Sequence, residues 1–376
     1  EFIKCYSLTN KNIIMNIQEI INWINCELTK VRKSDEMLED HLKTLLNSYL
    51  NKVSCASDFD SYGIDKKHVV ENIKDSIEII MSALDQYSSA HIVGCINTIS
   101  KYLKDNENLF VLEVKADSQE DQNWYRMRVQ ERYKRKFFAD EMFHIPFELR
   151  GKVNTQRYSL PGYPCLYISR SIWATWEEMH EPQLAQFWVS LLKLQENFCV
   201  LDLRLRNSDS INKDDMNNIL CTLPLVISSS IKVLNPDDNF KPEYIIPQMV
   251  MLGIVENQYK INDKDVIGCA YTSTQRNDFF EWKDVSKLDN IALPARNFIN
   301  KKGLCSSLSS MFEITDSTNY DYEVLKKPFQ TLLVNVTGTT FQMNEIQEQN
   351  YKDSIFGQLE KRLNEQKLKK LTEERL

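Results

Sequence analysis

Between residues 124 and 178 the chain gathers most of the side chains that could do chemistry. The segment opens with Trp124-Tyr125-Arg126-Met127-Arg128, followed by Arg132, Lys134, Arg135 and Lys136. In an extended conformation Arg126 and Arg128 share a face with Trp124. Two guanidinium forks beside an aromatic ring suit a phosphate-bearing ligand; a solvated basic face answering the acidic surplus elsewhere is the plainer alternative. Farther on, Gln156-Arg157-Tyr158-Ser159-Leu160 leads into Pro161-Gly162, a dipeptide that forces a turn. A strand over 164–169 then presents Leu166 and Ile168 to one side and Cys165 and Tyr167 to the other. Arg157 and Tyr167 can therefore face one cleft. A helix starting near Ser171 brings in Trp173, Trp176, Glu177 and Glu178, although two adjacent carboxylates on a helix are in general a surface feature.

The elements that must position these residues read as an α+β chain. Residues 11–50 show two helical stripes, Ile13, Ile17, Ile20, Ile21, Ile24 and Leu28, then Leu38, Leu42, Leu45, Leu46, Tyr49 and Leu50. Ser34-Asp35 offers an N-cap between them. The stretch 64–104 repeats the pattern twice more, so four amphipathic helices make an N-terminal bundle over 1–115. Beyond it, β-rich runs alternate with helical ones without regular βαβ spacing, which favours α+β over a doubly wound sheet. Strands are expected at 164–169, 198–203, 266–271 and 331–336, and helical periodicity runs from Trp173 to Leu194. At the far end Tyr351, Ile355, Leu359 and Leu363 recur at i,i+4 spacing, which predicts an amphipathic helix docking on the body or on a second protomer.

Composition removes several function classes. Only 9 glycines in 376 residues, against an ordinary share of about 7%, leave no room for several phosphate loops; neither GxGxxG nor GxxxxGK[ST] occurs. The net charge of −7 argues against nucleic-acid binding as the main task. No apolar run approaches the ~18 residues of a membrane span. Nine scattered cysteines without a CxxC pair and five dispersed histidines read as reduced thiols and structural imidazoles in a cytoplasmic protein, with no metal site. His144, in Phe143-His144-Ile145-Pro146, reads as a packed structural histidine.

The register of the chemical residues resembles one family. Arg157, the turn at Pro161-Gly162, the Leu166-Tyr167 pair and Glu178, eleven residues after the tyrosine, are similar to the RES-domain family, named for an arginine, a glutamate and a serine. The family's upstream Tyr-Arg element is matched by Tyr125-Arg126. Its Gly-x-x-Tyr-x-Ser strand is matched by Gly268-Cys269-Ala270-Tyr271-Thr272-Ser273, and Tyr244-Ile245-Ile246-Pro247-Gln248 resembles the helix start before it. The likeness covers about residues 120–300. It departs at the turn, where the family's frequent Arg-Phe-Asn reads Arg157-Tyr158-Ser159, and in a long segment before Ser273 that suggests insertions around 205–240.

The resemblance implies an ADP-ribosyltransferase-like core over 120–337, followed by a C-terminal helical tail over 338–376, and NAD as substrate with no prosthetic group. It implies cleavage of the nicotinamide–ribose bond by a bacterial toxin or defence effector. Within that reading Arg126 and Arg157 would hold the pyrophosphate. Glu178, with Glu177 as its fallback, would stabilise oxocarbenium character on the ribose. Tyr167 would pack on nicotinamide or ribose, Ser273 would orient the nicotinamide side, and Tyr125, Tyr271 and Gln248 would form walls. The acceptor, whether water, phosphate or a protein side chain, stays open, so mono-ADP-ribosylation of protein is the alternative activity. A non-catalytic interaction protein with a vestigial RES fold is the alternative class. A restraining antitoxin or sensor and self-association are expected.

Overall fold

The computed structural model describes residues 15–119, 121–130, 135–206, 211–212, 215–257, 260–261, 264–275, 285–326 and 348–371. The chain is α+β and divides into two compact units. One is helical. It holds α1 (Ile17–Leu28), α2 (Leu38–Cys55), α3 (Lys66–Ser88), α4 (Ile92–Asp105) and α5 (Glu107–Phe110), joined by α7 (Met216–Ser230) and α8 (Ile245–Asn257). The four expected N-terminal helices are present; α1 buries Ile17, Ile20, Ile21, Ile24 and Leu28 as its spacing predicts, whereas on α4 Ile92 is exposed and Ile96 half-buried, and Cys95, Ile99, Tyr102 and Leu103 face the core instead. A capping box of Asn16 and Glu19 starts α1. The cap expected for α2 at Ser34-Asp35 is displaced: Met37 occupies the N-cap position, without a side-chain bond. Residues 203–257, placed by sequence within a 120–337 domain, belong to this helical unit. The reason is local: α7 is buried almost continuously from Leu220 to Ser230, and Tyr49 donates its hydroxyl to the Leu220 carbonyl at 2.9 Å.

The second unit is built on a sheet. Its strands are β1 (Val111–Val114), β2 (Asn123–Val129), β3 (Cys165–Ser169), β4 (Phe187–Leu194), β5 (Phe198–Leu203), β6 (Lys260–Ile261), β7 (Lys264–Thr272), β8 (Asp289–Pro294), β9 (Phe312–Ile314) and β10 (Lys369–Lys370). The order is β1-β5-β7-β8-β3-β2-β4-β9-β10, with β6 pairing off β7. Helix α6 (Ile172–Glu178) follows β3; α9 (Ser306–Ser310), α10 (Tyr320–Lys326), α11 (Glu348–Asp353) and α12 (Ile355–Asn364) lie later in the chain.

Two expectations change here. The helical periodicity from Trp173 to Leu194 covers a seven-residue helix and then a strand, β4. Pro182 and two left-handed residues, His180 (φ 59°) and Glu181 (φ 54°), end the helix. Phe187 to Leu192 are buried on both faces of β4, so no alternation marked them as extended. The C-terminal helix is broken at Ser354, whose side chain caps α12 through Gly357 N–H. The helix still docks, burying Ile355, Phe356, Leu359 and Leu363. The strand expected at 331–336 lies outside the described residues.

Candidate active site

Strand register decides which predicted residues can meet. Tyr125 is opposite Ser169, Ser169 opposite Asn290, and Asn290 opposite Tyr271; Tyr167 and Cys269 are both opposite Ala292. Opposed residues of antiparallel strands share a face, and neighbours along a strand alternate. One face of the sheet therefore carries Tyr125, Tyr167, Ser169, Asn290, Cys269 and Tyr271. The intervening residues Trp124, Leu166, Ile168, Ala270, Ile291 and Leu293 belong to the apolar core. Tyr125, Tyr167 and Tyr271 are thus in phase without being near in sequence.

Helix α6 delivers the acid to that face. The Ser171 hydroxyl accepts from Ala174 N–H at 3.0 Å, and Glu360 of α12 accepts from Ile172 N–H at 2.9 Å, so both an N-cap and a carboxylate hold the first turn. Glu178 is the last helical residue, just before the left-handed pair. Its Oε1 accepts from Asn290 Nδ2 at 3.0 Å, and the Ser273 hydroxyl bonds the same carboxyl group. The Asn290 amide oxygen in turn accepts from the Ser169 hydroxyl. Burial pushes the Glu178 carboxyl above its ordinary range, while Ser273, the Arg157 charge, His180 and Asn290 pull it down. Desolvation wins, leaving an acid that is harder to ionise than a surface glutamate.

The arginine loop closes over the same place. Arg157 is buried, and its Nη2 donates to Thr274 Oγ1 at 2.9 Å, one residue beyond Ser273. Gln156 and Ser159 exchange backbone hydrogen bonds at 3.0 and 3.2 Å, and Gly162 takes φ 81° in the turn that follows. The Tyr167 hydroxyl donates to Ser159 Oγ at 3.1 Å and accepts from Tyr158 N–H at 3.3 Å. Tyr167 therefore pins the loop to β3, a role additional to the ring packing that the resemblance implies. The Tyr158 and Tyr271 rings meet at 4.7 Å between centroids. Arg157, Tyr158, Tyr167 and Glu178 all bear electrostatically on the Tyr271 phenol, which places the five groups in one neighbourhood.

Other predicted residues have partners of their own. Arg126 is out of phase with Tyr125 along β2. Its Nε donates to the Phe143 carbonyl at 3.1 Å and its Nη1 to the Tyr167 carbonyl at 2.8 Å. Only Tyr125 and Ser169 pair β2 with β3, so this guanidinium takes a carbonyl that the ladder leaves over. Burial, with Arg128 adding repulsion, lowers it to about 9. Arg126, expected to hold an anion, thus braces two main-chain carbonyls in the folded chain. The Tyr125 hydroxyl bonds Asn364 of α12, beside Glu360. Gln248 is a buried residue of α8 in the helical unit. Glu177 is half-buried and precedes the residue that bonds Asn290. His144 accepts from Cys305 N–H at 2.9 Å and contacts its neighbour's carbonyl at 2.8 Å; burial lowers it to about 4, so it stays neutral and structural.

Sequence reasoning missed Asn290, Ser169, Thr274 and Glu360. A signal existed for the first: Asp289-Asn290 opens an otherwise apolar run, Ile291-Ala292-Leu293, and a buried amide needs a partner. The glycine of Gly268-Cys269-Ala270-Tyr271 also has a steric reason. A Cβ there would stand 2.2 Å from the Ala292 carbonyl oxygen.

With the geometry in place, comparison adds one relative. The chain is similar to a protein of Bacillus subtilis (strain 168) described as "Putative toxin YopC", at 27% identity over 331 residues, covering 82% of this chain and 72% of that protein. No family model matches the chain, and no solved structure matches it.

Proposed function

We propose that the chain is an NAD-degrading enzyme of RES type, with an ADP-ribosyltransferase-like core, that acts as a toxin or defence effector. The observation that carries the reading is Glu178, half-buried and held between Ser273 and Asn290 with the Arg157 guanidinium beside it. Breaking the nicotinamide–ribose bond sends the bonding pair to the departing ring and leaves oxocarbenium character on the sugar. An ionised carboxylate in a desolvated setting stabilises that charge more than it would in water. Glu178 supplies it, and its hydrogen bonds to Ser273 and Asn290 hold it in one orientation. Arg157, anchored by Thr274, offers charge to the pyrophosphate. Tyr167 and Tyr271 wall the sugar and ring. The toxin role is supported by the similarity to a protein bearing that description.

Water as acceptor gives ADP-ribose, nicotinamide and a proton; phosphate gives a phosphorylated ADP-ribose; a protein nucleophile gives mono-ADP-ribosylation. Mass spectrometry of NAD incubated with the purified chain, with and without phosphate and with a lysate, separates the three. Release of nicotinamide by wild type and its loss in Glu178→Gln is the expected result. An inert wild type that binds a protein partner tightly would instead favour the interaction reading.

A further inference from the structure

Tyr158 is not needed to build the site as described, yet it lies inside it. The residue is fully buried, and its hydroxyl meets no hydrogen-bond partner among the described residues. Its ring packs on Tyr271 at 4.7 Å, its N–H is tied to the Tyr167 hydroxyl at 3.3 Å, and it adjoins Arg157 in sequence. These constraints leave the ring little freedom to turn its oxygen elsewhere. A buried hydroxyl without a partner costs stability, and phenylalanine would fill the same space against Tyr271 without that cost. The oxygen is therefore retained at a penalty, as donors aimed at a ligand are.

We propose that Tyr158 is a substrate-binding residue whose phenol donates a hydrogen bond to the ribose that Glu178 holds. The inference rests on the NAD reading above and adds a specificity contact to it. Its chemistry follows from the neighbours. The Glu178 carboxylate can only accept when ionised. A sugar hydroxyl both donates and accepts, so it can give its proton to Glu178 while receiving one from Tyr158. Burial keeps that phenol protonated, with Cys269 and Glu178 pushing the same way and only Arg157 opposing. A ligand lacking the hydroxyl would leave the phenol unpaired and be discriminated against.

Tyr158→Phe removes one oxygen and preserves the ring. Nicotinamide release is followed over a range of NAD concentrations for wild type and variant, alongside the thermal midpoint of each without NAD. The expected result is a KM raised about 3- to 10-fold, the equivalent of one net hydrogen bond, with kcat within about twofold. The ligand-free midpoint should rise by about 2–4 °C, as an unmade bond is removed. An unchanged KM in an active enzyme would overturn the contact while leaving the NAD reading intact. A lowered ligand-free midpoint would also overturn it, by showing the hydroxyl paired in the folded chain. Wild type that neither cleaves NAD nor gains thermal stability from it would overturn both.

Discussion

Glu178 and Asn290 set opposing demands on pH. The Glu178 carboxyl is raised by burial, so the folded chain holds its proton more tightly than the unfolded chain does. The stability contributed by the protonated form is complete below the ordinary carboxylate pKa and is lost as pH rises through the raised value. Stabilising a sugar cation needs the ionised form, so activity should rise over the same window. Glu178→Gln is expected to lower kcat by about a hundredfold or more, and its melting temperature should pull ahead of wild type as pH increases. Asn290→Ala removes a donor that favours the carboxylate, so the acid limb of the pH–rate profile should move to higher pH. A limb that stays in place would show that Asn290 does not tune the acid.

At the scale of elements, α6 is held at both ends. Glu360→Ala strips the carboxylate from Ile172 N–H; loss of a cap costs about 1–2 kcal/mol, readable by urea denaturation, and activity should fall with it because α6 ends on Glu178. Gly268→Ala would force a Cβ to within 2.2 Å of a backbone oxygen on β8. Overpacking of that kind costs about 1–3 kcal/mol or more, and the backbone on the other side cannot yield as a side chain would. Much of this was readable beforehand. The helical stripes, β3, β5 and β7 came from periodicity, and Arg157, Tyr167, Glu178 and Ser273 were singled out through the resemblance to the RES-domain family. Strand β4 was hidden because both of its faces are buried, which erases alternation. Asn290 was hidden because its partners are 121 and 112 residues away. The main-chain partners of Arg126 were hidden too, because they lie 17 and 41 residues away.

Across the whole molecule, no helix among the described residues is long and apolar enough to cross a membrane. A NAD consumer must be restrained by its producer, so induced expression of wild type in a bacterial host should drain cellular NAD and arrest growth, while Glu178→Gln should be tolerated at equal abundance. Equal growth of the two strains, with NAD unchanged, would count against a toxin. The Glu360–Ile172 contact carries a temporal implication. Its two ends are 188 residues apart, and ribosomes emit polypeptide from the N-terminus onward. Glu178 thus leaves the ribosome long before the carboxylate that secures its helix has been translated. Whatever reaction this glutamate serves, a nascent chain is ill-equipped to perform it, and competence arrives late in synthesis.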